Sequence, residues 1–137
     1  MPQLRLIDPA HGAPTPQFSE AETQAMQRAF VKLAALWEIT DEQAAVLMGD
    51  ISVRTWRRWK VGDLGRAGID VATRLSNLMG IHKALRLLFK VPARGYGWIK
   101  RPNDVFAGMS ALEVMLGGQI TDIMRVRRYL DVMRGPW

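Results

Sequence analysis

The chain has 137 residues, 48% of them hydrophobic, which suffices for one domain or for two small helical units that share a core. It has no cysteine, which excludes disulfides, thiolate metal sites and cysteine nucleophiles. It also lacks an apolar run long enough for a membrane span and the charged start of a secretory signal. We therefore expect a cytoplasmic protein without membrane contact. The 19 Lys and Arg residues, 14 of them Arg, against 13 Asp and Glu give a net charge of +6, which favours an anionic partner such as DNA, RNA or an acidic protein surface.

The N-terminal region begins with residues 1–18, which hold four prolines and show no apolar period, and we interpret them as a flexible arm. Ser19 and Glu22 form a capping box, which predicts a helix that begins there and ends near Glu38. The predicted apolar stripe of this helix consists of Met26, Ala29, Phe30, Leu33, Leu36 and Trp37.

Two short helices are predicted next. A second capping box, Thr40 with Gln43, opens a helix that ends at Met48-Gly49, and Ser52 caps another helix that runs to about Lys60. The stretch 61–68 contains three glycines and is predicted to be a loop.

The second half is predicted to be helical as well. Asp70 begins a helix that Gly80 breaks or kinks and that continues from Ile81 to Phe89. The stretch 92–108, rich in Pro and Gly, is predicted to be a connection whose aromatic residues pin it to a core. A third capping box, Ser110 with Glu113, opens a helix that ends at Gly117-Gly118, and the last helix covers about 120–133.

No segment alternates apolar and polar residues over the length of a strand, so the predicted fold class is all-α. We expect a flexible arm at 1–18, a helix-turn-helix DNA-binding region at 19–89 and a second small helical unit at 90–137.

The strongest local pattern is a helix-turn-helix over residues 40–62. Such a motif needs a small residue where the helices cross, a glycine at the turn and apolar residues on the inner face of the second helix. Ala45 fits the crossing and Gly49 the turn. The expected apolar contacts come from Val46, Leu47, Ile51, Trp56 and Trp59, and the expected outward residues are Val53, Arg54, Arg57, Arg58 and Lys60.

The outward face of the second helix suits the major groove of DNA, where an Arg can contact guanine O6 and N7 through two hydrogen bonds. Arg54 and Arg57 are our candidates for base contacts, and Arg58, Lys60 and Ser52 for phosphate contacts. The predicted DNA-binding set is Ser52, Arg54, Thr55, Arg57, Arg58 and Lys60. The alternative is an ordinary solvated helix face, and Asp50 lengthens the turn by one residue compared with the usual motif.

Other chemistry has little support in the sequence. His11 and His82 lie far apart, whereas a zinc site needs three or four convergent ligands. GDLGRAG has glycines without the Lys-Ser/Thr of a phosphate loop. We therefore expect no catalytic residue, no metal and no cofactor, and no enzymatic activity.

The C-terminal region carries a second pattern. Residues 98–116, WIKRPNDVFAGMSALEVML, combine Trp98-Ile99, Pro102-Asn103, Phe106-Ala-Gly108 and Ala111-Leu112-Glu113. This combination resembles the toxin-binding domain of Xre/MbcA/ParS-like antitoxins, and with the helix-turn-helix upstream the resemblance covers about residues 25–137.

The resemblance implies an antitoxin that pairs with a RES-domain toxin, an enzyme that consumes NAD⁺. Similar antitoxins form homodimers, cover the active site of the toxin with their C-terminal region and repress their own operon at operator DNA. On that basis the residues expected at the toxin surface are Arg125, Arg127, Arg128, Arg134 and Trp137. The alternatives are solvation of the terminal helix for the arginines and packing on its own domain for Trp137.

Three functional hypotheses follow. The first is an antitoxin of a type II toxin–antitoxin system that also binds DNA. The second is a stand-alone dimeric helix-turn-helix transcriptional regulator, and the third is a protein-binding module whose helix-turn-helix has lost its affinity for DNA.

Overall fold

The computed structural model describes residues 18–49 and 51–135 of the chain. The predicted arm lies outside the described residues apart from Phe18, and so do Asp50 and Trp137. The helices are α1 (Glu20–Leu36), α2 (Asp41–Leu47), α3 (Val53–Lys60), α4 (Ile69–Leu88), α5 (Pro92–Trp98), α6 (Ala111–Met115) and α7 (Ile120–Arg134), with a 3-10 turn at Asp104–Phe106.

The fold is all-α, as the sequence predicted. Within the two described ranges no strand occurs, and the one extended pairing there is an isolated bridge between Pro102 and Ser110. That bridge joins the two ends of the loop that carries the 3-10 turn.

The three capping boxes predicted from the sequence are confirmed. Ser19, Thr40 and Ser110 each accept a hydrogen bond from the backbone N–H three residues on, at 3.0 to 3.1 Å, while the Glu or Gln at that position accepts one from the N–H of the cap. α7 begins with a related contact that the sequence reading missed, in which the backbone N–H of Gln119 donates to Asp122 at 3.1 Å.

One hydrophobic core runs through both halves of the chain. α4 lies at its centre, packed against α1 on one side and along α7 on the other, and it also contacts α5. Leu75, Leu78 and Ile81 of α4 are fully buried, so the helix presents apolar side chains to partners from both halves. α4 therefore fixes the position of the N-terminal helices relative to α7.

Two predictions about the middle of the chain are wrong in part. α4 is a single helix of 20 residues that passes through Gly80 without a break. The stretch 92–108 is not a connection throughout, because Pro92 starts α5 at a position where its missing N–H is harmless. The expected pinning by aromatic residues is confirmed, since Phe106 is buried in the core.

Two apolar residues expected in the core are exposed instead. Leu36, at the last position of α1, is 48% exposed, and Val46 of α2 is 38% exposed. The other members of the predicted α1 stripe are buried or half-buried.

Candidate functional site

The turn between α2 and α3 has the geometry of a helix-turn-helix. Gly49 has a φ of +89°, a conformation that favours glycine, and Ser52 caps α3 by accepting a hydrogen bond from the backbone N–H of Thr55 at 3.0 Å. Ala45 is buried, as a crossing position requires. The described residues of this turn thus confirm the motif, whereas Asp50 lies outside them.

A buried arginine of α4 contacts the end of α2 beside this turn. Arg74 pairs with Asp70 at 2.9 Å and donates to the backbone carbonyl of Leu47 at 3.3 Å, which satisfies a carbonyl at the end of α2. A Cβ at Gly49 would lie 3.1 Å from Arg74 Nε, so another residue there would crowd the side chain that contacts the end of α2. α4 thereby contributes to the position of α2.

α3 is anchored to the core by two tryptophans. Trp56 and Trp59 are buried, their rings lie 5.9 Å apart, and Trp56 packs on Phe30 of α1 at 5.3 Å. Aromatic contacts of this kind add to the free energy gained from burial alone. Because both tryptophans point inward, the opposite face of α3 is directed to solvent.

That opposite face is cationic. Arg54, Arg57, Arg58 and Lys60 are all exposed, as predicted, and Val53 is half-buried. Ser52 and Thr55 are engaged with each other, since the Ser52 hydroxyl donates to the Thr55 hydroxyl at 3.1 Å. The sequence-predicted set therefore lies on one short helix.

A carboxylate of α2 holds part of this face. Asp41 pairs with Arg57 Nε at 3.2 Å and Lys60 Nζ at 2.9 Å, and it accepts a hydrogen bond from Trp56 Nε1 at 2.9 Å. The contacts from Lys60 and Trp56, with a weaker one from Arg57, hold the pKa of the Asp41 carboxyl below its ordinary value, although burial opposes them. The side chains of Arg54 and Arg58 make no hydrogen bond or ion pair with described residues.

The C-terminal sequence pattern forms a closed loop on an aromatic cluster. The Asn103 side chain accepts a hydrogen bond from the N–H of Val105 at 3.1 Å, and the backbone of Ala107 is left-handed with a φ of 56°. Phe106 is buried at 5.6 Å from Tyr129 of α7, and Trp98 stacks on Tyr129 at 6.1 Å. In this structure much of the pattern thus holds the loop against α7.

The arginines predicted at the toxin surface fall into two groups. Arg125 and Arg128 are exposed, and the Arg125 guanidinium lies 5.4 Å from the centre of the Phe106 ring. Arg127 and Arg134 contact Asp131 at 3.6 Å and 3.3 Å, so each has a partner within α7. Trp137 lies outside the described residues.

The described ranges contain no group of three or more His, Asp or Glu residues arranged to hold a metal ion. Likewise, no helix among them combines the length and the apolar character that a bilayer crossing demands.

Sequence reasoning missed the ion pairs of the fold. Asp41 was read only as part of a helix start, and Asp131 and Arg74 were not singled out. Asp131 and Arg74 had a signal, because each has its partner three or four residues away on the same helix. Asp41 lies 15 to 19 residues from its partners, a distance over which no helical period applies.

Comparison with known proteins assigns both halves. Residues 18–80 match the family model of the antitoxin Xre-like helix-turn-helix domain. Residues 84–136 match that of the antitoxin Xre/MbcA/ParS C-terminal toxin-binding domain, so the two matches meet within α4. The chain is also 39% identical over 130 residues to the uncharacterized protein y4oB of Sinorhizobium fredii (strain NBRC 101917 / NGR234), covering 95% of this chain and 99% of that relative.

Proposed function

Because this chain belongs to the Xre/MbcA/ParS-like antitoxin family, with a helix-turn-helix domain and a toxin-binding domain, we propose that it neutralises a RES-type NAD-degrading toxin and represses its own operon. The C-terminal unit covers the active site of the toxin, and α3 binds operator DNA. The observation that carries the proposal is the exposed cationic face of α3 in a chain that also has the toxin-binding domain.

The DNA-binding part of the proposal is supported by the charge and orientation of α3. Arg54 and Arg58 are exposed opposite the buried tryptophans, where they can meet a groove and its phosphates. The hydroxyls of Ser52 and Thr55 lie at the N-terminal end of the same helix and can contact the phosphate backbone of DNA there. Arg57 and Lys60 bind DNA from their positions beside Asp41.

The test of DNA binding is retardation of the promoter fragment of its own operon. Arg54→Ala with Arg57→Ala should abolish retardation while toxin neutralisation persists. The matched control is Lys83→Ala with Arg94→Ala, which removes the same charge from exposed positions outside the helix-turn-helix. Equal retardation by both double variants would contradict the assignment of α3.

The toxin-binding part is supported by the exposed side of α7. Arg125 and Arg128 are three residues apart and both available to an acidic surface, while Val126 and Leu130 bury the other side of the helix. Arg127 and Arg134 both pair with Asp131, and Arg127 also donates to Asn77, so they bind the toxin only by sharing or exchanging these contacts. We propose Arg125 and Arg128 as the main contacts, with Trp137 as an apolar anchor beyond them.

The test of toxin binding begins with the search for an adjacent gene that encodes a RES-type protein. The product of that gene is then co-expressed and co-purified with this chain. Arg125→Glu with Arg128→Glu should weaken the complex and neutralisation, whereas Arg66→Glu with Lys83→Glu, also exposed, should not. Deleting 135–137 should weaken neutralisation without unfolding the protein. Failure of the wild-type chain to restore growth or to co-purify would favour a stand-alone dimeric regulator.

We also propose that the chain forms a homodimer, because helix-turn-helix dimers bind two half-sites with the symmetry of the protein. Light scattering on the purified chain should give a mass near twice 15.4 kDa. A mass of one chain at micromolar concentration would contradict this.

A further inference from the structure

One carboxylate on α2 organises three side chains of α3. Asp41 Oδ1 accepts from Trp56 Nε1 and from Lys60 Nζ, both at 2.9 Å, and Oδ2 accepts from Arg57 Nε at 3.2 Å. Trp56 is buried, so its indole fixes the carboxylate relative to the core. The Arg57 side chain is 63% exposed, so it is held at one atom and otherwise faces solvent.

The way Arg57 is held leaves its recognition atoms available. The contact uses Nε, and neither Nη1 nor Nη2 donates to a described residue. Those two atoms suffice for a bidentate contact to guanine. An arginine restrained before binding also loses less side-chain entropy when it makes that contact.

Asp41 also separates the four cations of the α3 face into two that are paired with a carboxylate and two that are not paired with any described residue. The carboxylate offsets one of the two positive charges of Arg57 and Lys60, whereas no described residue pairs with Arg54 or Arg58. Exposed cations contribute affinity for any sequence, because they displace counterions from the phosphates. Positioned hydrogen-bond donors contribute sequence discrimination.

We propose that Asp41 is a positioning residue for DNA recognition: it holds Arg57 for a base contact and limits sequence-independent binding by offsetting the charge of Lys60. This inference rests on the proposed DNA binding by α3. It assigns to α2 a role in discrimination even though Asp41 itself need not touch DNA.

The experiment measures the dissociation constants of the full chain for its promoter fragment and for a scrambled fragment of equal composition, over a series of salt concentrations. Asp41→Asn keeps the shape of the side chain and an acceptor for Trp56 but loses both ion pairs. We expect it to bind the scrambled fragment more tightly, with a salt slope steeper by about 0.9. The ratio of the two constants should fall about tenfold, which is within the worth of one bidentate base contact.

The matched control is Glu42→Gln. Glu42 is the next residue, is exposed and pairs with no residue in the described part of the chain, so this variant changes the net charge equally. It should preserve the discrimination ratio. Equal ratios for the Asp41 and Glu42 variants would overturn the inference, because the charge alone would then explain the effect.

A second variant tests the route through Arg57 and does not depend on the stability of the Asp41 variant. Arg57→Lys keeps the charge but lacks the planar fork, so it should lose discrimination by itself. Combined with Asp41→Asn it should lose little more, because both changes remove the same contact. Full discrimination by Arg57→Lys, or losses that add, would overturn the inference. A wild-type chain that does not distinguish the two fragments contradicts the proposed operator recognition itself.

Discussion

The guanidinium of Arg127 lies directly over Gly80, so that a Cβ at residue 80 would be 2.5 Å from Arg127 Cζ. Arg127 Nη1 also donates to Asn77 Oδ1 at 3.3 Å, one turn earlier on α4. The glycine that suggested a helix break in the sequence is therefore a place where an arginine of α7 approaches the backbone of α4 closely.

This contact predicts a coupling between Gly80 and Arg127. Gly80→Ala gains about 1 kcal/mol of helix propensity, but it displaces Arg127 from Asn77 and Asp131. We expect little net change in the wild-type background and a stabilisation of about 1 kcal/mol in an Arg127→Ala background. Urea unfolding of the four chains measures the difference. Equal effects of Gly80→Ala in both backgrounds would show that the close approach has no energetic weight.

The capping boxes predict a graded effect on stability. Ser110 is 3% exposed and begins a helix of five residues, whereas Ser19 begins α1 at an exposed position. Ser110→Ala should lower the free energy of unfolding by about 1 to 2 kcal/mol, and Ser19→Ala by about 0.5 to 1 kcal/mol. The reverse order in urea unfolding would contradict this reading of the caps.

Short-range chemistry explains what the sequence predicted well. A capping box involves residues three apart and a helix-turn-helix needs one glycine at one turn, so both are readable from local sequence. The buried positions of Trp56 and Trp59, and with them the direction of the cationic face, followed from helical spacing.

Long-range packing explains most of what the sequence did not predict. α5 has seven residues, two of them glycines, and is too short for an apolar period to be recognised in the sequence. Its buried Gly95 lies so close to α4 that a Cβ there would be 3.3 Å from the Cβ of Leu85. Gly80 looked like a break because its partner, Arg127, lies 47 positions later in the chain. Val46 was expected in the core but is exposed. α2 has only seven residues, so its sequence holds too few apolar positions to define which side of the helix faces the core.

The loop that follows α5 predicts opposite effects for two neighbouring residues. Ala107 has a left-handed φ of 56° and Gly108 a φ of +87° with no atom near its missing Cβ. Ala107→Gly should stabilise the protein by about 0.5 to 1 kcal/mol because it removes the left-handed strain. Gly108→Ala should destabilise it by about 1 kcal/mol through the same strain. Thermal unfolding should move the two melting temperatures in opposite directions, and a shift of both to lower temperature would count against the loop conformation.

His82 predicts a pH dependence of stability. Its ring stacks on Tyr96 at 6.4 Å, and burial, followed by the nearby charge of Arg86, lowers its pKa. The unfolded chain therefore binds the proton more tightly than the folded chain, so stability should fall as the pH drops through about 6.5 towards the lower folded pKa. His82→Phe keeps an aromatic ring beside Tyr96 and should flatten the melting temperature between pH 7.5 and pH 5.5. A slope that persists in His82→Phe would assign the pH dependence to another group.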